Sequence, residues 1–200
     1  MLRVQAQSQL LERKSEIRTM KISQDGQAVF CLAPWQSEKI FLEGKIATGS
    51  YRTGQRKGEP RIPVRLMPNS MCILTECAPD QPESERRITG LAMLPETFVG
   101  QQCEDGWLRL HPQYRLMLDV AHRPLFWQYT GKDPHKQHWG NTFQYMANKS
   151  GERILFALIA NLPSGPKKQR ARAFYEYYCK MNRIEPRIKE EQNGGAMITK

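Results

Sequence analysis

Apolar residues in the first half of the chain come in short runs separated by turn-forming residues. Gln27–Leu32 (QAVFCL) follows the turn signal Asp25-Gly26, and Lys39–Ala47 (KIFLEGKIA) is a second run. Ile62–Met67 and Met71–Cys77 are joined by Pro68-Asn69-Ser70, a turn short enough for a hairpin. Arg87–Leu94 (RITGLAML) and Trp107–His111 (WLRLH) complete the series. Short runs at this spacing predict a mostly antiparallel β-sheet or small barrel. Two polar segments interrupt it. Gly49–Pro60 (GSYRTGQRKGEP) reads as a flexible basic loop, and Ala78–Glu85 (APDQPESE) as a plain acidic surface excursion.

The texture changes after residue 111. Gln113–Ala121 fits a short helix after Pro112, although YRLMLDV also suits a strand. Arg123–Tyr145 is rich in aromatic residues and histidine and is broken by Pro124, Gly131, Pro134 and Gly140. Arg153–Leu162 is a compact apolar segment that predicts a buried helix, with a strand as the competing reading because the run is short. A basic helix over 166–184 follows. Ser164-Gly165-Pro166 starts it, with proline in the first turn where its missing N–H is harmless, and Pro186 stops it. At 100° per residue, Ala171, Phe174, Tyr178 and Met181 share one side, while Lys168, Arg172, Tyr175, Cys179 and Arg183 share another. The expected fold class is therefore α+β: a β-rich part over 21–111 and a helix-richer part over 112–189, together one domain. Residues 1–20 form an N-terminal arm or helix, and 190–200 a tail.

Charge sharpens this picture. The 200 residues carry a formal net charge of +10. Residues 163–189 hold eight Lys or Arg against two Glu, and residues 45–65 hold six against one, which leaves the remainder near neutrality. Two concentrated basic segments on a near-neutral body favour a polyanionic partner. A membrane fits poorly. The longest apolar run is Ile154–Ala160, against the roughly 20 residues of a spanning helix. The first residues, MLRVQAQSQLLERKSE, are too polar for a secretory signal, and five irregularly spaced cysteines suit a reducing compartment. The expected setting is cytoplasmic.

Recognisable catalytic patterns are few. Gly49-Ser-Tyr-Arg-Thr-Gly54 has the glycine spacing of a phosphate-binding loop, but Gln55 and Arg56 stand where Lys and Ser or Thr would grip phosphate and magnesium. No pair of Cys and His has the spacing of a structural zinc site, so no metal or other cofactor is expected. The strand motif of an RNA-recognition domain and the GXXG loop of a KH domain are both missing.

Aromatic residues interleaved with bases carry the stronger signal. Arg52, Arg56 and Lys57 of the loop, and Lys167, Lys168, Arg170, Arg172 and Arg183 of the helix, are placed for phosphates. Tyr175 and Trp139, with Trp127 and Tyr129, are candidate stacking surfaces for unpaired bases. A helix N-terminus with extra lysines also suits an anion. The sequence thus predicts a non-catalytic protein that binds RNA or single-stranded DNA, working beside other subunits of a nucleoprotein complex. Two alternatives belong to other classes: a nuclease using His111, His122, His135 or His138, and an interaction subunit that binds an acidic protein.

Overall fold

Gln27–Leu32 forms strand β1, which the rest of the sheet grows around. Almost every residue of it is buried, as in Met71–Glu76, strand β3. Continuous burial suits strands covered on both faces. The computed structural model describes residues 26–136 and 142–187. The further strands are β2 (Lys45–Ala47), β4 (Arg87–Met93), β5 (Trp107–Arg109), β6 (Arg115–Met117) and β7 (Phe143–Met146). The α-helices are α1 (Gln36–Glu43), α2 (Asn148–Asn161) and α3 (Pro166–Asn182). The predicted amino-terminal arm and the tail lie outside the described residues.

Among the described residues, one sheet has the order β6-β4-β3-β1-β7, and β2 pairs with β5 in a separate ribbon. The pairs β1–β7, β3–β4 and β4–β6 are antiparallel. β1 and β3 run parallel, joined by a crossover through α1, β2 and the basic loop. The sheet does not close, so the α+β class holds and the barrel alternative does not.

Two apolar layers cover the sheet. Val29, Ile73, Leu91 and Met93 point to one face, where Ile154, Leu155 and Leu158 of α2 and Phe174, Tyr175 and Tyr178 of α3 pack on them. Phe30, Cys72, Leu74 and Ala92 point to the other, against Ile40 of α1, Ile46 of β2 and Leu108 of β5. Strand alternation separates the two sets.

Four segments differ in whole or in part from the leading sequence reading. Lys39–Ala47 is not one strand: Gly44, at φ 68°, ends α1 by donating its N–H to the Ile40 carbonyl, and β2 begins at the next residue. Glycine at that position is a helix stop that a short apolar run disguises. Ile62–Met67 makes turns rather than a strand, because Pro63 removes a backbone donor and Leu66 N–H bonds to Pro63 O at 2.9 Å. No hairpin therefore joins it to β3. In Gln113–Ala121 the strand reading is realised as β6, followed by a single 3-10 turn at Val120–His122. α2 starts earlier than its apolar run, taking in Asn148–Gly151, where a Cβ on Gly151 would lie 3.1 Å from Tyr178 Oη.

Candidate nucleic-acid interface

α3 buries Ala171, Phe174, Tyr175, Tyr178, Cys179 and Asn182 and turns Arg170, Arg172, Glu176, Lys180 and Arg183 to solvent. The buried arc is wide because α2 packs beside the helix as well as the sheet beneath it. Tyr175 is therefore no stacking surface. Its hydroxyl donates to Glu152 Oε1 at 2.8 Å and accepts the Arg187 N–H at 2.8 Å. Burial pushes its phenol far above the usual range. Arg183 takes a left-handed conformation (φ 52°) and caps α3, with the following N–H of Ile184 reaching Cys179 O at 2.9 Å.

The two lysines at the start of α3 turn back on the protein. Lys167 Nζ pairs with Asp119 Oδ2 at 2.6 Å, holding that carboxyl below its ordinary pKa, and Lys168 Nζ donates to Leu162 O at 2.9 Å. The outward cations are those further along. Arg170, Arg172, Lys180 and Arg183 meet no carboxylate within ion-pair distance among the described residues.

On the other face of the sheet, the loop after β2 is laced together by its own backbone. Tyr51 N–H bonds to Glu59 O at 3.0 Å, Gly58 N–H to Tyr51 O at 2.9 Å, and Arg61 N–H to Gly49 O at 2.9 Å. Gly49 has φ 75°, and a Cβ there would meet Thr142 Oγ1 at 2.1 Å, so only glycine lets the loop root seat beside β7. The loop side chains form a ladder of guanidinium groups on rings. Arg56 lies 4.6 Å from the Tyr51 ring, Arg61 4.8 Å from Phe143 and Arg65 5.2 Å from Tyr145. Arg56 also pairs with Glu59 at 2.6 Å. Arg52 and Lys57 are exposed and meet no carboxylate within ion-pair distance among the described residues, and Arg61 Nη1 is buried with no hydrogen-bond partner.

The β2–β5 ribbon extends this surface. Ile46 and Leu108 point inward, so strand alternation turns Lys45, Ala47, Trp107 and Arg109 outward. Lys45 stands opposite Arg109 and Ala47 opposite Trp107, which leaves the indole flank open. Trp107 is 41 % exposed, with Lys45 Nζ 4.5 Å from its ring. Lys45 also reaches Glu43 at 3.8 Å. Ribbon and loop are continuous, since Thr48 N–H bonds to Gly106 O at 2.8 Å. Beside Trp107 lies a cleft of about 490 Å³ lined by Phe98, Val99, Gln102, Glu104, Asp105 and Arg109. Sequence reading missed Lys45, Trp107, Arg109 and Arg61 as site residues. The period-two pattern of KIA and WLR carried the signal, but not the pairing that puts the outward residues side by side.

The other candidates are scattered. Trp127 is buried, its Nε1–H donating to Glu83 O at 2.6 Å, and Tyr129 is half-buried. Trp139 and His138 lie outside the described residues. His111 Nδ1 accepts the backbone N–H groups of Gln113 and Tyr114 at 3.1 and 3.2 Å, and burial lowers its pKa. His122 sits 3.8 Å from Asp119, and His135 donates its backbone N–H to Asp133. Among the described residues, no three His, Cys, Asp or Glu side chains gather as a metal site would require, and no helix is long and apolar enough to cross a membrane. No family model, curated protein or solved structure matches the chain.

Proposed function

We propose that this protein binds single-stranded nucleic acid, RNA or DNA, on the outer face of the β2–β5 ribbon and the adjoining loop. The observation that carries the reading is Trp107, exposed beside the Lys45–Arg109 pair and continuous, through the Thr48–Gly106 bond, with the cations of residues 52–57. An open indole offers a π-face to any unstacked base, which a paired duplex keeps covered. Arg52 and Lys57 are available to phosphates, and the guanidinium of Arg56, backed by Tyr51, presents a second flat surface. Phosphate contacts fix position without reading sequence. The cleft beside Trp107 adds Glu104 and Asp105, acceptors that suit the exocyclic amino groups of a base.

Fluorescence anisotropy against labelled single-stranded RNA, single-stranded DNA and duplex DNA, each across a salt series, tests this. Single strands are expected to bind more tightly than duplex, with log affinity falling linearly in log salt by about 0.7 per phosphate neutralised. Trp107→Ala should weaken binding by about 1–3 kcal/mol, from about fivefold to somewhat over a hundredfold, with the salt slope unchanged. A double Arg52→Ala, Lys57→Ala variant should flatten the slope. Absence of saturable binding to all three probes at low salt would overturn the reading.

A further inference from the structure

We infer that one molecule of this protein holds two nucleic-acid segments at once, one on each side of its central sheet. The inference rests on the nucleic-acid reading and adds a second, separate site to it. Its basis is the placement of the two basic segments. The loop at 49–61 leaves the ribbon layer, whose Ile46 and Leu108 pack on the face of the sheet carrying Phe30 and Leu74. α3 packs on the opposite face, over Val29, Ile73 and Leu91. The cations of α3 therefore do not extend the loop surface.

Distance makes the two surfaces independent. A sheet and the layer stacked on it are about 10 Å apart, and helices pack at similar spacing. The solvent sides of α3 and the ribbon thus lie on the order of 20 Å or more apart. Between exposed charges the screening length is about 8 Å at physiological salt. A strand bound on one side leaves the potential of the other nearly intact, so a second segment is still attracted.

The surfaces also differ in kind. The solvent arc of α3 carries Arg170, Arg172, Lys180 and Arg183 against a single carboxylate, Glu176. Its one partly open ring, Tyr177, is stacked on Tyr114 at 4.0 Å and bonded through its hydroxyl to Glu96. That face offers charge to a phosphate backbone and little to bases. The ribbon face offers both, through Trp107 and the loop cations. One side suits a single strand, and the other takes any phosphate backbone.

Energy transfer between two oligonucleotides tests the inference. One population of single strands of about eight nucleotides, within the range a compact site covers, carries a donor and a second population an acceptor. Strands this short are chosen so that one strand does not wrap around the molecule to reach both faces. Adding protein should raise transfer, excess protein should lower it again, and anisotropy should saturate at two strands per monomer. Arg170→Ala, Arg172→Ala, Arg183→Ala, all at exposed positions, should bring transfer down to the protein-free level while one strand per monomer still binds. Trp107→Ala with Arg52→Ala and Lys57→Ala should abolish transfer from the other side. Saturation at one strand per monomer without transfer would overturn the inference and leave the single-site function standing. Transfer restored by mixing the two variants would show bridging by paired copies and would likewise overturn it. No binding by any probe would remove the nucleic-acid reading itself.

Discussion

Glu152 is only 2 % exposed, yet it brings a carboxylate into the seam between α2 and α3. The residues around it compensate. Tyr175 donates its hydroxyl proton at 2.8 Å, and Arg187 Nη2 approaches at 3.3 Å from the chain beyond α3. The same tyrosine oxygen accepts the Arg187 N–H, so one phenol ties both helices to the segment that follows them. Tyr175→Phe keeps the ring and its packing but leaves a buried carboxylate short of a donor. It should destabilise the fold by about 1–3 kcal/mol, read as a lower urea midpoint with the slope unchanged. Nucleic-acid affinity should not move, because Tyr175 faces the core. A loss of affinity at unchanged stability would restore this residue to the binding surface.

Gly90 is where α1, β4 and β6 meet. A Cβ there would come within 2.7 Å of both the Leu116 carbonyl oxygen and the Phe41 ring. The ring can swing, but the carbonyl belongs to β6, which pairs with β4 at this point. Gly90→Ala should therefore loosen the β6 edge and cost about 1–3 kcal/mol, visible in thermal or urea unfolding. Elements of this kind differ in how plainly the sequence announces them. β1, β3, β4 and α3 are legible because burial on both faces, or a proline in the first turn, leaves a local signature. The end of α3 is not: it stops at Asn182, capped by the left-handed Arg183, ahead of Pro186, which the sequence offers as its stop. α1 is hidden by Gly44, which a strand reading takes as an interruption and the helix uses as its cap. The acidic segment 78–85 is similarly misread: Glu83 forks onto the buried Arg86 and its carbonyl accepts the Trp127 indole N–H, so the excursion is anchored. Of the interface, Arg52, Arg56 and Lys57 are legible because they are neighbours in the chain. Lys45, Trp107 and Arg109 are not, because they become neighbours only through a pairing between distant strands.

Seen across the whole molecule, the basic excess is divided between two sides, which a count of charges does not reveal. The strand order has its own consequence for how the protein comes into being. β1 precedes the other described strands, yet among the described residues its outer edge is covered by β7, and the apolar face beneath Val29 and Ile73 by α2 and α3 with Phe126 and Trp127 beside them. A growing chain has its central strands long before it has what shields them. Until residues 143–182 leave the ribosome, an open strand edge and a bare apolar face are exposed together, the combination that invites aggregation. A chain ending before residue 143 is therefore expected to aggregate, read as its loss from the supernatant on expression beside the full sequence.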